Sequence, residues 1–68
     1  MSDLLTLFKT FQRVVETGSF TAVAAEFNTS QPTISRQIAA LEERVGALLF
    51  QRTTRALAVT EDGRVLYE

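Results

Sequence analysis

The stretch from Ser19 to Gly46 constrains the fold more than any other part of the chain. Phe20, Val23, Ala24 and Phe27 share one face of a helix about two turns long that Ser19 can cap. Ile34, Ile38, Leu41 and Val45 share one face of a longer helix. Ser30 can cap it, and Pro32 falls in its first turn, where a missing N–H costs little. Stepping about 100° per residue from Ile34, these four positions lie at about 0°, 40°, −20° and 20°, a single narrow stripe. Between the helices stands Asn28, which tolerates left-handed backbone better than most residues. Ala24 is small enough for a second helix to cross closely. A small residue, a turn residue and a core residue at this spacing predict two helices joined at a steep angle by a short turn, a helix-turn-helix.

The flanks complete a small domain. Ser2 or Asp3 can cap a first helix whose Leu4, Leu7, Phe8, Phe11, Val14 and Val15 form an apolar stripe ending at Gly18. The stripe reads as core, with Val15 and Leu5 open to a partner-facing role. After Gly46, the helix stop, Ala47-Leu48-Leu49-Phe50 reads as a buried apolar run. Leu57 and Val59 alternate with Ala58 and Thr60 as a half-buried strand does. Between these runs, Gln51-Arg52-Thr53-Thr54-Arg55-Ala56 reads as a β-wing with two arginines or as an ordinary solvated hairpin tip. Thr60 can cap a fourth helix with Glu61 and Asp62 in its first turn, where the helix dipole favours negative charge. The sequence stops inside that helix, as a piece of a longer protein does. The expected fold class is mostly α with a small β-wing: a winged helix-turn-helix with a three-helix core and a two-stranded wing.

Composition excludes several functions. A chain of 68 residues is one small domain. With no cysteine and no histidine, it lacks thiolate metal sites, disulfides and the usual acid/base of neutral-pH catalysis. An enzyme and a bound cofactor are therefore not expected. No apolar run approaches the ~18 residues of a membrane span, and the N-terminus lacks the features of a signal peptide, so a cytoplasmic protein is expected. The net charge of −1 counts against a nucleic-acid binder, which is usually basic. The charge is uneven, however. From Ser30 to Thr60, Arg36, Arg44, Arg52 and Arg55 outnumber Glu42 and Glu43 for a local +2, and the remainder carries −3.

The face opposite the Ile34 stripe is polar and short-chained. Pro32, Arg36 and Ala39 lie at about 160°, 200° and 140° from Ile34, with Thr33 and Ser35 on the flanks and Gln31 at the N-terminal end. A merely solvated face more often mixes Lys and Glu pairs. Glu43 lies on the same side two turns farther on, where phosphate would repel it unless the helix tilts away. A B-DNA major groove admits one α-helix and shows distinguishable base edges there. Gln31 can bond an adenine bidentately, Pro32 can touch a thymine methyl, and Thr33 and Ser35 reach bases or phosphates. Arg36 suits a guanine edge or a phosphate. Each has a plainer reading: Ser30 and Gln31 as caps, Pro32 as a helix start, Arg36 as surface charge. Gln37 is equally open to a structural role. Arg44 reads as locally paired, and Lys9, Arg13 and Arg64 as backbone contacts or solvated charges.

The stretch GSFTAVAAEFNTSQPTISRQIAALEERVGALLFQRTTRALAVTEDG, Gly18 to Gly63, closely resembles the N-terminal domain of LysR-type transcriptional regulators. The whole chain aligns with that domain without gaps. The pieces GSFT, SQPTISRQI, LEERVGALLF, QRTTR and VTEDG are each weak alone and specific in order. Phe27 stands where Leu is usual, Thr29 where Val is usual and Val23 where Ala is frequent; the first two read as core-side changes. The resemblance implies residues 1–60 as a DNA-binding domain and 61–68 as the start of a linker and dimerisation helix. It also implies a dimeric or tetrameric bacterial regulator of transcription, acting on double-stranded DNA, whose operator would be an interrupted palindrome. A C-terminal domain outside this sequence would take a small-molecule effector. The contacts the resemblance implies are Gln31, Pro32, Ser35 and Arg36 from the helix and the wing arginines Arg52 and Arg55; the residues themselves add Ser30 and Thr33 at the helix end and Thr54 on the wing, with Arg52 and Arg55 on phosphate or in a narrow minor groove. A helical module that grips another protein is the alternative. It would want large apolar anchors on the free face, and Pro32, Thr33, Arg36 and Ala39 are poor ones. An RNA-binding winged helix is a further alternative.

Overall fold

A computed structural model of the chain describes residues 3–52 and 57–68, with Arg52 described in its backbone only. The order is α1 (Leu4–Thr17), α2 (Phe20–Glu26), α3 (Gln31–Val45), β1 (Phe50–Arg52), β2 (Leu57–Val59) and α4 (Glu61–Tyr67). The strands pair antiparallel, Phe50 opposite Val59 and Arg52 opposite Leu57. This is the expected winged helix-turn-helix.

Local chemistry sets each boundary. Asp3, rather than Ser2, is the N-cap of α1: its carboxylate accepts the Thr6 N–H at 2.8 Å, and this bond holds its pKa below the usual carboxylate value. Ser19, Ser30 and Thr60 cap the other three helices with their hydroxyls. Gly18 and Gly46 close α1 and α3 at φ 70° and 75°. Asn28 takes φ 58° in the α2–α3 turn, and the Thr29 N–H there reaches back to the Ala24 carbonyl at 2.8 Å.

The core gathers Leu7, Phe11 and Val14 of α1, Phe20, Val23 and Ala24 of α2, Ile34, Ile38 and Leu41 of α3, and Leu49 and Phe50 at the wing. The Phe50 ring lies 5.6 Å from Phe11 and 5.9 Å from Phe20, the latter edge-on, so the wing root is tied to both leading helices. Thr10, fully buried, donates its hydroxyl to Gln37 Oε1 at 2.7 Å, which pins α1 to α3 through a satisfied polar pair. Gly63 explains a glycine inside a helix, where it otherwise costs about 1 kcal/mol. A Cβ there would fall 2.4 Å from the Leu49 carbonyl oxygen, so only glycine lets α4 close on the wing root.

Several expected core positions lie at the rim instead. Val45 is 41% exposed although its helical phase is right, because it is the last residue of α3 and stands past the end of the packed seam. Leu4 occupies the equivalent overhang at the start of α1 and is exposed. Phe27 is the C-cap of α2, where the chain leaves the helix, and is 38% exposed; Thr29 is also exposed. Neither is therefore a core-side change. Leu48, at 65%, points away from the buried Leu49 and Phe50 that follow it. Val59 is exposed at 37%, while Leu57 is half-buried.

Two truncations separate phase from depth. Ile38→Ala, in the seam, should lower stability by about 2–5 kcal/mol. Val45→Ala, in phase but overhanging, should cost less than about 1 kcal/mol. Urea unfolding followed by circular dichroism reads both, and equal losses would refute the placement of the core.

Candidate nucleic-acid interface

Helix α3 is anchored by Ile34, Ile38 and Leu41, none of which has measurable exposure. That seam turns Gln31, Pro32, Arg36, Ala39 and Ala40 outward, all of them exposed, with Thr33 and Ser35 half-buried on the flanks. Arg36, Ala40 and Glu43 form a ridge between two shallow open grooves. One groove is completed by Ala39, Glu42, Gly46 and Leu48, the other by Leu7, Thr33, Gln37 and Arg44. The ridge carries a guanidinium at its N-terminal end and a carboxylate at its C-terminal end on either side of the small Ala40, and the cationic end can enter a groove about one helix wide.

Ser30 is occupied as a cap. Its Oγ accepts the Thr33 N–H at 3.3 Å and lies 2.9 Å from the Thr33 hydroxyl. Gln37 turns its carbonyl oxygen inward to Thr10, so its role is structural. The wing strands flank the segment that holds Thr54 and Arg55, and these two residues lie outside the described part of the chain, as does the side chain of Arg52.

The remaining cations are distributed differently from expectation. Arg13 donates to both oxygens of Glu26 at 2.7 and 2.8 Å and to Glu16, and Tyr67 donates its hydroxyl to Glu16 at 3.0 Å. One network thus ties α1 to α2 and α4. Its hydrogen bonds from Arg13 hold both glutamates below the usual carboxylate range; for Glu16, Tyr67 adds to the effect. The same network raises the Arg13 and Tyr67 pKa values, through Glu26 first for Arg13 and through Glu16 for Tyr67. Arg64 pairs with Glu61 at 2.5 Å. Arg44, expected to be paired locally, enters no ion pair among the described residues, and neither does Arg36. Lys9 is exposed.

Two residues that sequence reasoning passed over shape the interface from behind. Glu42 accepts backbone N–H groups of the wing root, and Gly63 lets α4 pack against it. A glutamate in the last turn of a helix, where the dipole disfavours an anion, was the available signal for the first. A glycine three residues after a helix cap was the signal for the second.

A polar recognition ridge on a three-helix core, with a two-stranded wing beside it, defines the winged helix-turn-helix class. Within that class, the chain belongs to the lysR family of bacterial regulatory helix-turn-helix proteins, whose model matches residues 5–64. An HTH-type transcriptional repressor of Pseudomonas aeruginosa is 39% identical over 66 residues, which span 97% of this chain and 21% of that protein. The chain therefore covers only about a fifth of the length of such relatives. Among solved structures, the BenM DBD in complex with benA site 1 DNA superposes with a TM-score of 0.86 at 39% identity, over 98% of this chain and 73% of that one. Full-length CbnR complexed with its target DNA gives 0.83 at 36% identity, over 90% of this chain and 21% of that one. Among the described residues, no helix is long and apolar enough to cross a membrane.

The Arg13 network carries a pH signature. Glutamates held at a lowered pKa stabilise the fold above their unfolded value, and that contribution disappears as pH falls through the folded value. The melting-temperature advantage of the parent over Arg13→Met should therefore be full at neutral pH and shrink between about pH 5 and pH 3. Thermal melts across that range check it, and a gap that stays constant down to pH 3 would contradict the assignment.

Proposed function

We propose that this chain is the sequence-reading end of a bacterial transcriptional regulator, residues 1–60 forming the DNA-binding domain and 61–68 beginning a linker helix. The observation that carries the reading is the outward strip from Gln31 to Arg36, held off the core by a fully buried seam on the other side of the same helix. Kinship with regulators, and the likeness to domains solved on DNA, support the same reading.

In this proposal α3 enters the major groove at its N-terminal half. Gln31 and Pro32 meet base edges, Ser30 and Thr33 approach phosphate from the capped helix end, and Ser35 and Arg36 contact bases or backbone. Arg52, Thr54 and Arg55 lie on the backbone or in the adjacent minor groove. Oligomerisation through the linker helix would place two such helices on the half-sites of an interrupted palindrome. A small-molecule effector would act through a domain beyond these residues. The setting is the bacterial cytoplasm, at the nucleoid, and the chain does no covalent chemistry.

Selection of bound duplexes from a random pool defines the preferred site. On that site Arg36→Ala should weaken binding by about 1–3 kcal/mol if the guanidinium reads a base, with little loss on random DNA. If it neutralises phosphate, the loss should be similar on both and the salt dependence flatter. Equal affinity of parent and variant in a mobility-shift titration removes Arg36 from the interface.

A further inference from the structure

The chain leaves α3 by winding around a single residue. The main-chain oxygen of Glu42 accepts the N–H groups of Gly46 at 2.8 Å and Ala47 at 3.2 Å. Its carboxylate Oε2 then accepts those of Leu49 at 2.9 Å and Phe50 at 3.3 Å. Four backbone donors between residues 46 and 50 thus converge on one glutamate, and the last of them is the first residue of β1. A carboxylate this near a helix C-terminus is disfavoured by the helix dipole, and charge-assisted bonds to two amides offset that. The returning strand is fastened to the same segment: the Thr60 N–H donates to the Leu49 carbonyl at 3.0 Å, and its hydroxyl to the Leu48 carbonyl at 2.6 Å. The outgoing end of the hairpin is therefore held to the last turn of α3 by Glu42, and the returning end is held to the outgoing one through Leu48 and Leu49.

We infer that Glu42 is a positioning residue for nucleic-acid binding: by holding the Leu49 and Phe50 amides it fixes the wing at one angle to α3, so that ridge and wing engage a duplex as one rigid unit. Glu42 contacts no nucleic acid in this scheme and acts through Arg52 and Arg55. The inference rests on the DNA-binding reading above and concerns how its two parts are coupled. Without the carboxylate, the wing root keeps its apolar anchors, Leu49 and Phe50, and loses its fixed angle.

The test is a cycle on the 68-residue chain with a random-sequence duplex, read by fluorescence anisotropy across a salt series. On the parent, the wing pair Arg52→Ala with Arg55→Ala should weaken binding about tenfold or more and flatten the salt slope by about 2. On Glu42→Ala the same pair should cost less than about twofold. Glu42→Gln, whose amide oxygen can still accept both N–H groups, should restore the parent's response. If Glu42→Ala is unfolded at the assay temperature by circular dichroism, Glu42→Asp takes its place: the shorter stem withdraws the carboxylate and keeps the charge. An undiminished wing effect on the folded Glu42 variant overturns the inference, as does a parent indifferent to the wing substitutions. A parent with no salt-dependent affinity for any duplex overturns instead the DNA-binding reading beneath it.

Discussion

Everything the surface of this chain presents depends on one buried seam. Ile34, Ile38 and Leu41 have no measurable exposure and lie against Leu7, Phe11 and Val14 of α1 and Val23 and Ala24 of α2. Because these residues recur within about 60° of one another around α3, burying them leaves a single orientation for the opposite face. Rotating the helix by one residue would move its apolar stripe by about 100° and turn Thr33, Gln37 and Ala40, or Ser35, Ala39 and Glu42, inward in place of two isoleucines and a leucine, a change costing several kcal/mol. The Thr10–Gln37 hydrogen bond sharpens the same choice, because it is satisfied only when α1 and α3 stand in this register. Packing therefore decides what the helix shows, and the polar ridge is its consequence.

The second level of organisation fastens the remaining elements to that seam. Phe50 brings the wing root under Phe11 and Phe20, Glu42 fixes the path from α3 into β1, and Gly63 permits α4 to lie on the Leu49 carbonyl. Tyr67 then meets Phe11 edge-on at 6.4 Å and Glu16 through its hydroxyl. The last turn of the chain is thus attached to α1, and through Glu16, Arg13 and Glu26 to the first helix of the helix-turn-helix. Motion of α4 would be felt at α2 through side chains in direct contact.

What the sequence made legible divides along physical lines. Periodicity identified the helices and the seam, because burial imposes a repeat that single substitutions hardly disturb. Caps were legible because Ser19, Ser30, Thr60 and the two stop glycines act locally, on their own backbone. Depth was not legible: Val45 and Leu4 share the phase of buried residues but overhang the ends of their helices, and phase carries no information about where a partner helix stops. Phe27 failed for a related reason, standing where α2 unwinds. Contacts between distant segments were also invisible. Nothing local to Glu42 says that residues 49 and 50 will fold back over its carboxylate, nor does anything near Arg13 announce Glu26 thirteen positions on. The outward strip from Gln31 to Arg36 was legible because it is the complement of the seam.

The acidic balance of the chain looks unfavourable for a polyanionic partner until its charges are placed. Glu16 and Glu26 are taken up by Arg13, Glu61 by Arg64, Glu42 by two amides and Asp3 by a helix cap, while Arg36 enters no ion pair among the described residues. Glu43 is the acid that shares the outward face with Arg36. Seven residues of helix separate them, about 10 Å along the axis, which is about one screening length in ordinary salt. At that spacing Glu43 subtracts little from the field at Arg36, yet it would meet the phosphate walls directly if the helix lay flat along a groove. The charges of α3 therefore favour entry by its N-terminal half with the C-terminal half tilted away. Net charge is the wrong quantity for such a surface; the sign within one screening length of the contact decides.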